Sequence, residues 1–342
     1  LSVTIVAISM IESCCVFSPV ISRSIQIRFV ARSLADVITL AVYTPAMQHA
    51  TVIATFSRRM RVRLDDRTEA DARIKGKRLK PVCGDRVVVE SLPEETDWLI
   101  TGIDKRRNEL TRPNARGQAE VLASNIDYLL AVAAPEPKAD WFIIDRYLCA
   151  AELMRVDAGV IYNKADLVVG APDNELDVYS DLGYDVVACS AESGDGIDAV
   201  GNLLAGRCSI IVGQSGVGKS SIINRLIGGE VQRTSEISAK WGEGRHTTVN
   251  SVMIDLPGGG TIIDSPGVRD YAPALDSPVL ASQGFREVRA AADECRFTNC
   301  RHLREPGCAV KARVDRGDIS PRRYESYKRM VNLTRQLTEG RY

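Results

Sequence analysis

The period of the hydrophobic positions changes along the 342-residue chain, and each change marks a different kind of element. Between about Thr51 and Gly117 apolar residues come in short β-type runs, TVIATF, RMRVRL, DRVVVE and WLITGI. The turn pairs Asp65-Asp66 and Gly84-Asp85, and Pro93, separate them. Several short strands at that spacing predict a small barrel. From 126 to 256 the runs become nearly continuous: IDYLLAVAA, AGVIYN, DVVACS and CSIIVG alternate with helical stretches such as DWFIIDRYLCAAELM and GIDAVGNLLAG. Strands apolar on both faces need cover on both, so interleaved helices predict a parallel α/β sheet. An antiparallel pair, SVMIDL and TIIDS, follows, joined through Pro257 and three glycines. Beyond about Pro273 the pattern is helical and basic. Residues 1–46 fit none of this and are expected to be an unassigned leader, either an unstructured segment or translated upstream sequence, with Met47 a candidate start.

Composition narrows the class. The composition, 45% hydrophobic and 26% charged, is that expected of an ordinary soluble globular protein, and the length predicts two or three domains. The zero net charge conceals a pattern. Basic residues outnumber acidic ones 16 to 11 over 56–119 and 12 to 5 over 295–342, whereas 120–294 carries 13 against 26. Basic flanks suit a polyanionic partner, and equally a solvated surface. Two basic stretches, RIKGKRLK (73–80) and DKRRNELTRPNAR (104–116), read as loops that cluster cations on one side of the barrel. An OB-like barrel with such loops is a common RNA platform; an SH3-like barrel without a nucleic-acid role has similar strands. Six of the nine cysteines are scattered and three crowd between 295 and 308, which argues against a disulfide framework. The apolar run Val3–Met10 lacks a basic flank and is cut short by Glu12, so neither a signal peptide nor a membrane span is expected. A cytoplasmic protein is predicted.

The chemistry lies in five short motifs. GQSGVGKSS, from Gly213 through Gln214, Ser215, Gly216, Val217, Gly218, Lys219, Ser220 and Ser221, follows the strand SIIV and opens a helix. In that context it is a phosphate loop, with backbone N–H groups and a helix N-terminus aimed at negative charge. Lys219 should reach the β and γ phosphates and the Ser220 hydroxyl should ligate Mg²⁺. This loop alone leaves an ATPase open. The base is decided by NKAD, Asn163, Lys164, Ala165 and Asp166, at the end of the strand GVIYN. The Asp166 carboxylate can accept from both the ring N–H and the exocyclic amine of guanine, a donor pair adenine lacks. Asn163 would tie this loop to the phosphate loop, and the Lys164 stem can lie over the base. Next comes CSAESGDGI, where backbone N–H groups around Ser190 and Ala191 could donate to the guanine keto oxygen. After the phosphate loop, GRHTTVN offers Thr247 or Thr248 to the Mg²⁺ shell, and DSPG supplies Asp264 and Gly267. Together these predict a GTP-binding domain.

Their order is unusual. GTPases normally run phosphate loop, Thr switch, DxxG, NKxD, SA, whereas here NKAD and SA come first, so the domain is predicted to be circularly permuted. The cut falls after DSPG, the segment that rearranges when the γ phosphate leaves, so the helical unit beyond it is expected to be pulled directly. Val268 stands where Ras-like enzymes place the water-orienting Gln, and His246 is the candidate catalytic substitute. Finally, CRFTNCRHLREPGC places Cys295, Cys300, His302 and Cys308 as four soft ligands for a closed, structural Zn²⁺. The basic stretch SPRRYESYKRM after it reads as an RNA-facing surface or a solvated helix face.

The permuted order, the barrel and the trailing Cys₃His spacing, with VCGDRV, NKAD, GQSGVGKSS, GRHTT and DSPGV, resemble the bacterial small-subunit-dependent GTPases of the RsgA (YjeQ) family over about residues 50–335. The fold class expected is multidomain α/β. An OB-like β-barrel (47–118) would precede a circularly permuted P-loop GTPase domain (119–272) and a C-terminal helical zinc-binding domain (273–342). The resemblance implies a monomeric late-assembly factor that binds the 30S ribosomal subunit through 16S rRNA, hydrolyses GTP to GDP and phosphate when the subunit stimulates it, and leaves. An alternative is a GTP-gated RNA-binding placeholder whose hydrolysis is incidental.

Overall fold

A computed structural model describes residues 47–56, 59–91, 97–114, 118–168, 175–228, 249–265, 275 and 277–339. Ahead of them Gln26–Ile27 (β1) and Val42–Tyr43 (β2) pair antiparallel, and the rest of the expected leader lies outside the described residues.

Five strands wind the barrel: β3 (Met47–Phe56), β4 (Met60–Leu64), β5 (Glu69–Ile74), β6 (Arg86–Ser91) and β7 (Trp98–Ile103). In β4 the alternation Met60, Val62, Leu64 faces the core, while Arg61 and Arg63 point outward to carboxylates across the sheet. Strand order is β3-β4-β5-β7-β6, and β6 closes back on β3; only the β5–β7 pair is parallel. This is the OB arrangement.

Two stretches read as loops contain strands. Arg73 and Ile74 finish β5, whose Ala70 and Ala72 are too small to give an apolar alternation although Ala72 is fully buried. Likewise Glu109–Pro113 (β8) pairs with Ala119–Ser124 (β9) in a hairpin that lies across the expected boundary at residue 118. The motif VCGDRV fastens this hairpin to the barrel. Fully buried Asp85 accepts from Arg106 at 2.6 and 2.8 Å, from Ser124 Oγ at 2.6 Å and from the Val82 N–H at 2.8 Å. Gly84 sits at φ +94°, with any Cβ landing 2.1 Å from the Ser124 carbonyl oxygen, so only glycine fits.

The α/β domain comprises β10 (Tyr128–Ala133), α1 (Trp141–Met154), β11 (Asp157–Tyr162), α2 (Glu175–Asp181), β12 (Asp185–Ala188), α3 (Ile197–Leu204), β13 (Cys208–Gly213), α4 (Lys219–Ile227), β14 (Val249–Asp255) and β15 (Thr261–Asp264). The spatial order is β12-β11-β10-β13-β15-β14, parallel except for β14. Every residue of β10 is buried, as its apolar run requires. Residues of α1 and α2 cover one face, among them Tyr147, Leu148 and Tyr179; Val200, Leu204, Ile222 and Ile223 of α3 and α4 cover the other.

Strand β3 joins the two units. At ten residues it outruns the barrel: its first half closes against β6, and its second half pairs with β14 through Ala54↔Val252, Thr55↔Ser251 and Phe56↔Val249. The result is one eleven-stranded sheet. Arg63 reinforces the seam with a bidentate pair to Asp255 at 2.8 and 2.7 Å.

The C-terminal unit is helical as expected: α5 (Leu280–Gln283), α6 (Arg286–Ala292), α7 (Ala309–Arg316) and α8 (Pro321–Glu339) enclose Phe285, Val288, Val310, Ile319, Tyr327 and Met330. It packs on α1, where Cys149 joins its core and Gly284 comes so close that a Cβ would meet the Cys149 sulfur at 2.2 Å. Two carboxylates of α1 clamp it. Glu152 pairs with Arg286 at 2.6 Å and Arg289 at 3.1 Å, and Asp145 pairs with Arg322 and Arg323, each at 2.6 Å. Arg323, 1% exposed, also pairs with Glu287 at 2.8 Å, and Arg322 reaches Glu175. Thus Arg323 is committed to an internal ionic network and is not part of an RNA-facing surface or a solvated face, and partly exposed Arg322 is tied to the same network through Asp145.

Candidate functional site

The loops at the carboxyl ends of β11, β12, β13 and β15 converge at one edge of the sheet, where open α/β sheets place ligands. Strand β13 lies between β10 and β15, so the phosphate loop emerges beside Asp264, the last residue of β15. Gly213, Gly216 and Gly218 all have positive φ, and α4 starts at Lys219. The ammonium of Lys219 turns back onto its own loop, donating to the carbonyls of Gly213 at 2.8 Å and Gln214 at 2.7 Å. Ser215, Gly216, Ser220 and Ser221 are exposed at this edge, while Val217 is buried beneath it.

Asn163 joins three loops. It is 1% exposed; its amide donates to the Val217 carbonyl at 2.9 Å and its carbonyl accepts from the Ala191 N–H at 3.0 Å. The Cys189 thiol also points at that carbonyl, 3.6 Å away, and burial pushes this thiol up to about 11, so it stays a donor. A Cβ on Gly218 would lie 2.2 Å from the Asn163 amide nitrogen, so the close approach of the two loops depends on that glycine. Lys164, in the left-handed region at φ +61°, donates to the Gly216 carbonyl at 2.9 Å and the Glu136 carbonyl at 2.7 Å. Ala165 and exposed Asp166 follow in a single 3₁₀ turn. Buried Ser190 shapes the neighbouring loop by accepting from the Ser193 N–H at 3.1 Å.

Thus Asn163, Lys164, Ala165, Asp166, Ser190, Ala191, residues 213–221 and Asp264 share one edge. His246, Thr247, Thr248 and Gly267 lie outside the described residues. Sequence reasoning missed three contributors. The Glu136 carbonyl, three residues past β10, receives Lys164; the Asp140 N–H donates to the Gln214 side chain at 2.9 Å; and Arg225 of α4 donates to the Glu192 carbonyl at 3.1 Å. Only the position of Glu136 after an apolar strand gave any signal. A fourth link leads outward: Ser265, next to Asp264, hydrogen-bonds through its hydroxyl to Ser251 of β14 at 2.9 Å, and Ser251 is paired with Thr55 of the barrel.

The second cluster is the Cys₃His set. The ligand atoms of Cys295, Cys300, His302 and Cys308 all lie within 4.8 Å of one another. His302 Nδ1 is 3.4 Å from Cys295 Sγ and 3.6 Å from Cys308 Sγ. Zinc with ordinary Zn–S and Zn–N bonds at tetrahedral angles needs an S···N edge of about 3.6 Å, so the residues fit a metal. Burial lowers the His302 imidazole below its usual value despite the opposing charge of Glu305, which favours the neutral ligand form. Two phenols steady the loop: Tyr324 donates to the His302 carbonyl at 2.6 Å and Tyr327 to the Arg301 carbonyl at 2.8 Å.

Sheet order, the phosphate loop and a base-reading loop that precedes it in the chain define a circularly permuted P-loop GTPase domain carrying an OB barrel. The RsgA GTPase family model matches residues 103–273. Relatives named small ribosomal subunit biogenesis GTPase RsgA include one from Marinobacter nauticus, 40% identical over 76% of this chain and 76% of its own length. Another, from Haemophilus influenzae, is 36% identical over 76% and 78%. The chain belongs to the RsgA GTPase family. A crystal structure of YjeQ from Thermotoga maritima superposes with TM-score 0.64 at 28% identity, covering 84% of this chain and 99% of that one. YloQ, described as a circularly permuted GTPase, shares the fold with TM-score 0.64 at 23% identity over 85% and 96%.

Proposed function

We propose that this chain is a GTPase of small-ribosomal-subunit assembly, cytoplasmic and monomeric. It would bind the 30S particle through 16S rRNA in late maturation, and hydrolyse GTP to GDP and phosphate when the particle stimulates it. The observation that supports the reading is the Asn163 junction, which ties the base-reading, SA and phosphate loops together. The names of the relatives supply the assembly context.

In this reading Asp166 accepts from the two guanine donors, and the Ala191 N–H, which must turn from the Asn163 carbonyl, donates to the keto oxygen. The phosphate-loop amides and Lys219, which must leave the Gly213 and Gln214 carbonyls, stabilise charge on the γ phosphate during attack by water. Ser220 and Thr248 would hold the Mg²⁺ that accompanies GTP; hydroxyl oxygens beside a carboxylate such as Asp264 are the hard donors it takes, and it offsets phosphate charge. Cys295, Cys300, His302 and Cys308 would hold one structural Zn²⁺. His246 is the candidate that orients the water, with the 30S particle ordering its segment. No helix among the described residues is long and apolar enough to cross a membrane.

Loss of the γ phosphate at DSPG would reach the barrel through Ser265, Ser251 and the β14–β3 seam, which gives a route from hydrolysis to release. The reading is tested by sedimentation with purified subunits. With a non-hydrolysable GTP analogue the protein should pellet with 30S and not with 50S, and with GDP it should remain in the supernatant. Equal pelleting in both nucleotide states would contradict it.

A further inference from the structure

The metal-binding loop presents an aromatic ring to solvent. Among the described residues five large hydrophobic side chains are exposed, Met47, Leu167, Val279, Leu280 and Phe297, and Phe297, at 40%, is the one aromatic. In the chain it is flanked by exposed cations and hydrogen-bonding residues, Arg296 before it, Thr298 and Asn299 after it, and Arg301 and Arg304 further along the same loop. The Arg296 guanidinium already lies 5.5 Å from the ring centroid.

The loop is built to hold this arrangement. The Glu305 carboxylate accepts from the N–H groups of Leu303 at 2.9 Å, Arg304 at 3.0 Å and Arg301 at 3.2 Å. Burial opposes its charge, but these backbone donors outweigh burial and hold the carboxyl at about 2. Its charge is therefore spent on the loop backbone. The Arg296 N–H donates to the Gly307 carbonyl at 3.2 Å, closing the base of the loop.

We infer that Phe297 is a stacking platform for an unpaired RNA base, with Arg296, Arg301 and Arg304 contacting the flanking phosphates. This rests on the reading of the chain as an RNA-binding assembly factor and names the element that takes single-stranded RNA. A preordered aromatic is costly to leave in water and accepts any base face, while arginines serve both stacking and phosphate contact. A duplex buries its base faces, so the site discriminates for unpaired RNA.

The test uses the full-length zinc-loaded protein, a fluorescent 12-nucleotide oligo(A) RNA and a 12-base-pair RNA duplex. Phe297→Ala should weaken oligo(A) binding roughly 5- to 150-fold, the range for loss of one base–aromatic stack. It should leave duplex binding, zinc content and basal GTP turnover unchanged. Phe297→Trp should retain affinity, with indole fluorescence quenched by the single strand and not by the duplex. A parent affinity for oligo(A) no tighter than for the duplex, or a Phe297→Ala loss under twofold, overturns the inference. If parent and Phe297→Ala sediment equally with 30S yet neither binds oligo(A), the stacking platform fails and the assembly reading stands. If neither RNA nor 30S binds, that reading fails as well.

Discussion

Asp145 is the hinge pin between the GTPase domain and the helical unit, and its replacement by Asn gives a sharp test. The carboxylate is fully buried and bonds Arg322 and Arg323 at 2.6 Å each and the Tyr179 hydroxyl at 2.7 Å. Burial alone would push its carboxyl up. Arg323 and Arg322, with hydrogen bonds from Ser326 and Tyr179, outweigh burial and hold it below the ordinary 3.8. Removing one partner of a buried pair costs about 3–5 kcal/mol. Here the two arginines keep Glu287 and Glu175, so the lower end, about 3 kcal/mol, is expected for Asp145→Asn. With a urea m-value of about 3 kcal/mol/M, the midpoint should fall by about 1 M. Trp141, 5.7 Å from Tyr179, provides the fluorescence signal. The sign with pH follows from the depressed folded-state value: the contribution is complete above 3.8 and lost as pH falls through the lower folded value. Parent and variant should therefore differ fully at pH 7 and converge below pH 3.8. A difference under about 0.5 kcal/mol at pH 7 would refute the network as a clamp.

Three other outcomes follow from the same geometry. Asn163→Ala leaves the Val217 carbonyl and the Ala191 N–H unpaired, at about 1–3 kcal/mol each; binding of a fluorescent GDP analogue should weaken at least about tenfold, and a change within twofold would remove Asn163 from the site. Gly84→Ala drives a methyl to 2.1 Å from a backbone oxygen at φ +94°, so thermal melting should fall by several degrees, and an unchanged melting temperature would show the hairpin seam to be pliable. Titrating the thiols with a mercurial should release one zinc per chain and expose 293–308 to proteolysis, whereas a metal-free purified protein with an intact loop would contradict a structural zinc.

The strands of the α/β domain were legible because runs such as IDYLLAVAA are apolar on both faces, which only a sheet covered by helices requires. The phosphate and base-reading loops were legible because their chemistry is local and positional. What could not be read depends on distant partners. In β5, Ala72 is buried by its neighbours while its own side chain gives almost no hydrophobic signal. Arg322 and Arg323 looked like surface cations because their counter-charge, Asp145, lies 177 and 178 residues away. The β14–β3 seam was hidden for the same reason: nothing in SVMIDL says that its free edge is taken by a barrel strand nearly 200 residues earlier.

That seam adds a second route from the switch. Permutation suggested that the segment after DSPG pulls the helical unit. The described contacts put the helical unit on α1 through Asp145 and Glu152. The barrel instead shares a sheet with β14, whose Ser251 touches Ser265. Among the described residues the barrel therefore has a hydrogen-bonded route to Ser265, while residues 266–274, which lead to the helical unit, lie outside them.

The most direct test of the account is GTP turnover by the purified protein alone, with 30S and with 50S subunits. A marked rise with 30S and none with 50S is the result predicted. A rate unchanged by 30S would contradict a subunit-stimulated GTPase and leave a nucleotide-gated RNA-binding placeholder in its place.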